Sequence, residues 1–119
     1  MKVGDDMPDS INIVLQRYVE EIKKIYGVHV KQVILYGSYA RGDYNKDSDI
    51  DIMILLDVSD MDIKEYRHQL SYMTYDFNEE YELDIKPIAK SEEHFTKWVD
   101  NYPFYSNVRK EGVNLYGAA

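Results

Sequence analysis

Two aspartates one residue apart, Asp49 and Asp51, stand at the head of an apolar run that continues through Ile52, Met53, Ile54, Leu55 and Leu56. An earlier apolar run, Val33 to Tyr36, ends in Gly37-Ser38, with ten residues between Ser38 and Asp49. Side chains of an extended chain alternate between faces, so the two carboxylates point one way and Ile50 and Ile52 the other. Two carboxylates side by side repel unless a cation sits between them. An oxygen-only ligand set suits Mg²⁺, which keeps some waters and takes its other ligands from one or two carboxylates and substrate phosphates. A third acid, Asp84, lies between apolar Leu83 and Ile85. If its strand pairs beside that of Asp51, it joins the cluster, either as ligand to a second metal or as acceptor of a proton from an attacking hydroxyl.

Gly37 and Ser38 suit a different task. Glycine at a strand end permits φ > 0 and lets a phosphate approach the backbone. Ser38 offers a hydroxyl and an N–H at the start of a short helix, where anions are favoured. Arg41 adds a positive charge one turn later, and Gly42 can end that turn in a left-handed cap. No Gly-Lys-Ser/Thr follows, so this is not a Walker A loop. Nor is Asp47 onward a calcium loop, because Ile52 stands where glycine is needed and Val58 where a bidentate glutamate is needed. Taken alone, Asp-x-Asp is an ordinary solvated strand end and Gly-Ser an ordinary turn. Their spacing, the flanking strands, Arg41-Gly42, Ser48 and Asp84 agree with one another.

On these residues the chain resembles the nucleotidyltransferases of the DNA polymerase β superfamily. More narrowly, it resembles the minimal nucleotidyltransferases (MNT proteins) that act as antitoxins beside HEPN toxins. The resemblance implies transfer of AMP from ATP to a hydroxyl acceptor, a tyrosine of a HEPN ribonuclease toxin. It implies one or two Mg²⁺ ions held by Asp49, Asp51 and Asp84, which are also the catalytic residues, and a nucleotide-phosphate site at Gly37, Ser38, Arg41 and Ser48. Larger relatives carry an added helical domain for the acceptor; here nothing is left over to build one, so an acceptor would sit on a partner or on a second copy of the chain. Two rival readings are a small-molecule nucleotidyltransferase of the antibiotic-modifying kind acting as a dimer, and a non-catalytic module that neutralises a toxin by contact. A pure binder has no need of Gly-Ser and three carboxylates.

The elements that would position these residues follow from periodicity. Asp9 or Ser10 can cap a helix whose apolar face is Ile11, Val14, Leu15, Tyr18, Ile22 and Ile25, ended by Gly27. His29 to Tyr36 and Ile50 to Leu56 read as strands. Ser59-Asp60-Met61-Asp62 resembles a capping box and opens one helix with Ile63, Tyr66, Leu70, Met73 and Phe77 inward. Glu82 to Ile88 reads as a third strand, stopped near Pro87. Ser91-Glu92-Glu93 opens a further helix carrying Phe95, Trp98 and Val99, and Pro103 precedes a last helical segment from Phe104 to Lys110. The helix between the second and third strands is long enough for a crossover. The expected fold is α/β (α+β): one domain over 1–119, a small mixed sheet of three or more strands with packed helices.

Composition narrows the partners. With 22 acidic against 14 basic residues and a net charge of −8, the chain has few cations to neutralise a phosphate backbone. A long nucleic acid is therefore not the expected partner, and a basic protein is. There are no cysteines, no apolar run long enough to span a bilayer and no apolar signal region at the N-terminus, which makes the cytoplasm the expected location. Twelve tyrosines fit both packing and an interface. Tyr39 and Tyr44 flank the phosphate turn and could stack on a base, but each reads first as a semi-exposed packing residue. His29, His68 and His94 lack metal-ligand spacing and read as surface residues.

Overall fold

The computed structural model describes residues 9–117. Helix α1 (Asp9–Tyr26) is followed by a 3-10 turn, strand β1 (Val30–Tyr36), the one-turn helix α2 (Ser38–Arg41), strand β2 (Ile50–Leu56), helices α3 (Asp60–Glu65) and α4 (Arg67–Tyr81), strand β3 (Ile85–Ser91), helices α5 (Glu92–Trp98) and α6 (Pro103–Glu111), and strand β4 (Val113–Gly117). The sheet order is β3-β2-β1-β4. β1 runs antiparallel to β2 and to β4, while β2 and β3 are parallel. The mixed sheet with packed helices is as the sequence predicts.

The sheet is covered on both faces, and each face has its own core. Leu15, Tyr18 and Ile22 of α1 and Leu70 and Phe77 of α4 pack with Val33, Leu35, Ile50, Ile52 and Ile54. On the other face Phe95, Tyr105 and Val108 pack with Ile34, Met53 and Leu55. Burial on both faces explains why β2 reads as a continuous apolar run after Asp51. Between α1 and α4 the buried hydroxyls of Tyr18 and Thr74 satisfy each other at 2.7 Å, as buried polar groups must.

Several elements differ from the sequence reading, most by a residue at an end and some by more. The helix expected to run from Ser59 to Phe77 is two, broken at Tyr66, where α3 ends and α4 begins. Ser59 does cap α3, its side chain accepting from the Asp62 N–H. The third strand starts and ends later than expected. Glu82, at φ 54, ends α4 in a left-handed conformation without a glycine, so the chain straightens only at Ile85. β3 then continues through Pro87, which pairs with Ile52. Proline is tolerated there because β3 is an edge strand. On the outer edge, Asn78 of α4 bonds both backbone groups of Ile85: its Oδ1 accepts from the N–H at 2.9 Å and its Nδ2 donates to the carbonyl at 3.2 Å. Finally β4, five residues long, pairs with β1 although no strand is expected there from the sequence.

Candidate active site

The acids gather at the leading end of the parallel β2–β3 pair. Ile50 lies opposite Ile85 and Asp51 opposite Lys86, so Asp49 and Asp84 precede their strands side by side. Asp84 is thus not within the third strand, as expected, but one residue before it; its carbonyl accepts the Ile50 N–H at 2.9 Å, which ties the two strand starts together. The carboxylates of Asp49 and Asp84 are within hydrogen-bonding reach, both open to solvent. Two carboxylates so placed oppose each other's ionisation. Asp49 is raised above the usual carboxylate range by its hydrogen bond with Asp84, and Asp84 is held below it by the same bond and by Lys86.

Asp51 is half-buried. Desolvation raises its pKa first and the negative charge of Asp49 second, while Arg41 and Lys86 oppose them. By strand alternation it shares a face with Met53 and Leu55, above the smaller core. Across the antiparallel pair it stands opposite Tyr36, whose hydroxyl is pushed up to about 12 by burial and by the Asp51 charge. Tyr36 in turn meets the half-exposed Phe104 edge-on at 5.7 Å.

Gly37 closes the site from the β1 side. Its backbone lies at φ 77, ψ −155, a region essentially reserved for glycine. A Cβ there would also collide with the Asp51 Oδ2 and stand 3.3 Å from its Cγ. The turn therefore needs glycine twice over, for its dihedrals and to seat the carboxylate. Helix α2 starts at Ser38, beside this contact, and Gly42 ends it in the left-handed conformation (φ 88), its N–H bonding to the Ser38 carbonyl at 2.9 Å.

The other two expected phosphate residues have protein partners. Arg41 lies between carboxylates, its Nε 3.3 Å from Asp43 Oδ2 and its Nη1 3.3 Å from Glu111 Oε1 at the end of α6. Ser48 Oγ accepts the Asn45 N–H at 2.9 Å, and the Ser48 N–H returns to the Asn45 carbonyl. Ser48 thus closes the turn that delivers Asp49. Tyr39 and Tyr44 stack on one another, centroids 4.2 Å apart and nearly parallel, half-buried against the larger core. The semi-exposed packing role expected of both is the one they have here, each ring laying one face on the other. His94 also departs from expectation: it lies among Trp98, Tyr102 and Tyr105 and hydrogen-bonds the Tyr105 hydroxyl at 3.2 Å.

Sequence reasoning passed over Lys86, whose Nζ is 3.3 Å from Asp84 Oδ1. The signal was available: it stands two residues after Asp84, on the same side of an extended chain. Tyr36, adjacent to Gly37, was likewise not singled out.

Among the described residues no three acidic or histidine side chains are gathered closely enough to enclose a metal ion. The donor set still fits a hard divalent cation: Asp49, Asp51 and Asp84 supply only oxygens, repel one another, and are accessible. Clefts of about 470, 560 and 840 Å³ open elsewhere, and none is lined by these acids. The largest lies at the far end of β2, around Asp57, Ser91 and Trp98. No helix among the described residues is long and apolar enough to cross a membrane.

Known proteins share the sequence pattern and the fold. Residues 15–112 match the model of the nucleotidyltransferase domain family. A "Putative protein adenylyltransferase" of Methanocaldococcus jannaschii is 38% identical over 102 residues, covering 86% of this chain and 94% of that protein. Among solved structures, a "putative nucleotidyltransferase" from Sulfolobus solfataricus superposes with a TM-score of 0.57 at 23% identity, over 89% of this chain and 79% of that one. A structure of a tri-AMPylated Shewanella oneidensis HEPN toxin in complex with MNT antitoxin shares the fold at a TM-score of 0.51 and 14% identity, over 90% of this chain and 73% of that one. A turn that admits only glycine against an Asp-x-Asp strand, on a fold shared with these proteins and across a match spanning most of the sequence, makes this chain a member of the nucleotidyltransferase domain family.

Proposed function

We propose that this nucleotidyltransferase transfers AMP from ATP to a tyrosine hydroxyl of a basic HEPN-type toxin, and so acts as the antitoxin of a pair in the cytoplasm. The observation that carries the reading is the seating of the Asp51 carboxylate against Gly37, with Asp49 and Asp84 meeting at the same strand end. This sets the Gly37-Ser38 turn, the candidate phosphate site, directly beside the carboxylates. The acceptor class is supported by the name of the Methanocaldococcus relative and by the AMPylated toxin in the fold-sharing complex. The acidic balance of the chain, −8, favours encounter with a basic protein.

In this mechanism the acceptor oxygen attacks the α-phosphorus of ATP. The new P–O bond forms as the bond to pyrophosphate breaks, and the hydroxyl proton passes to Asp84. Divalent metal held by Asp49, Asp51 and Asp84 would neutralise charge on the attacking and leaving oxygens. Ser38 offers its hydroxyl and N–H to the triphosphate beside Gly37, and Arg41, once released from Asp43 and Glu111, adds a positive charge. Ser48 holds the turn that aims Asp49. Positioning and electrostatics supply most of the catalysis in such transfers.

Incubating the protein with ATP labelled at the α-phosphate, Mg²⁺ and a purified HEPN partner tests this. Label should appear on a partner tyrosine and be absent with Asp49→Asn. Neutralisation of the partner without label transfer would overturn the catalytic reading in favour of a contact-only antitoxin.

A further inference from the structure

We infer that Lys86 is a tethered counter-ion of the acidic cluster, which leaves Asp84 when metal arrives and turns to the donor triphosphate. The inference rests on the nucleotidyltransferase reading of the site and adds to it a positioning residue for the nucleotide. Three observations support it. Lys86 stands opposite Asp51 in the β2–β3 register, so its side chain rises from the same end of the sheet as the acids. Its Nζ is 3.3 Å from Asp84 Oδ1. Asp49 and Asp84 precede their strands side by side, at the strand start from which Lys86 rises. Lys86 thus stands among the acids.

The pair is built to open. Both side chains are 58% exposed, and exposed ion pairs hold with at most about a fivefold preference. A divalent cation on Asp84 repels an ammonium placed there. Arg41, the other cation near Asp51, is held by Asp43 and Glu111, so Lys86 has the weaker hold of the two. The nucleotide brings a triphosphate to this strand end, and a displaced lysine is a compact, mobile charge suited to it.

The prediction is a pair of opposite shifts. Lys86→Met keeps most of the stem and removes the charge. Mn²⁺ titrated without nucleotide, followed by electron paramagnetic resonance, should bind this variant up to about fivefold more tightly than wild type, because no internal cation competes. A non-hydrolysable ATP analogue titrated with saturating Mg²⁺ by calorimetry should bind about ten- to hundredfold more weakly, the loss of one charged hydrogen bond. Lys86→Arg should restore nucleotide binding most of the way. If Lys86→Met leaves nucleotide affinity unchanged, or does not tighten Mn²⁺, the proposal is overturned. A merely structural lysine would move both affinities the same way or neither. Lys86→Gln repeats both titrations should the methionine variant fail to fold. Asp49→Asn in the same experiments separates the two layers. If it too leaves both affinities at wild type, the site reading itself fails, whereas if it loses both while Lys86→Met loses neither, only the role of Lys86 fails.

Discussion

The even- and odd-numbered residues of β2 meet different surroundings. Ile50, Ile52, Ile54 and Leu56 face α1 and α4 and are at most 1% exposed. Met53 and Leu55 face α5 and α6, and their row ends at Asp51, half-buried beside Gly37 and Tyr36. One side of a single strand is devoted wholly to packing, while the other carries packing at one end and charge at the other. The first side holds β2 still so that the second can present a carboxylate at a fixed place.

Substitutions on the two sides should therefore fail differently. Asp51→Asn and Asp49→Asn should each abolish AMP transfer, with at least a 10²- to 10³-fold fall in kcat expected from losing such an electrostatic contribution. Stability should be unchanged or slightly raised, because one charge leaves a repelling set. Ile52→Ala should do the reverse to the fold, removing about 2–5 kcal/mol. Rate assays beside denaturant melts decide the matter, and near wild-type transfer by either asparagine variant at saturating Mg²⁺ would dissolve the contrast.

Asp84→Asn sharpens the comparison within the cluster. As proton acceptor or second-metal ligand it should lose about 10²- to 10⁴-fold in turnover yet still bind ATP with Mg²⁺. Complete loss of nucleotide binding by a folded variant would make Asp84 a primary nucleotide ligand instead.

The Gly-Ser turn should give graded effects on nucleotide affinity. Gly37→Val places a side chain against the Asp51 carboxylate and should block ATP binding. Ser38→Ala should weaken it about ten- to hundredfold, because one hydroxyl goes and the backbone N–H stays. Equal calorimetric affinities for wild type and both folded variants would return the segment to a plain turn.

The smallest effect concerns pH. Burial and Asp51 raise Tyr36 to about 12, above the ordinary tyrosine value of about 10. Its contribution to stability is therefore complete below about pH 10 and is lost as pH rises towards 12. Urea midpoints should fall across that alkaline window, and less steeply for Tyr36→Phe. Parallel slopes for the two proteins would show that Tyr36 does not contribute.

Legibility in the sequence followed how local each determinant is. β1 and β2 were readable because a buried strand is a continuous apolar run, and α1 because its apolar steps of three and four persist from Ile11 to Ile25 of an 18-residue helix. Gly37 and Gly42 announced positive φ, and both adopt it. β3 was misplaced because Pro87 reads as a stop unless one knows that the strand lies at an edge, which is a tertiary fact. The left-handed Glu82 carries no composition signal either. β4 is short and takes its strand state from pairing with β1. At the site, the acids and the glycine were visible as types at a spacing. That Arg41 and Ser48 bond protein partners, and that Tyr39 and Tyr44 stack on each other, depends on contacts that sequence spacing does not encode.

The Asn78–Ile85 pairing has a consequence for how this protein meets others. The outer side of an edge strand is ordinarily an invitation to another strand, with backbone groups in a row and nothing bonded to them. Along β3 the row is interrupted: Asn78 occupies both groups of Ile85, Pro87 has no N–H to give, and the Ser91 N–H reaches Asp60 Oδ1 at 3.4 Å. A newcomer cannot simply lengthen the sheet on this flank. A partner docking beside the acids on this flank meets side chains rather than a free row of backbone groups, and pairing of two copies through β3 is opposed in the same way.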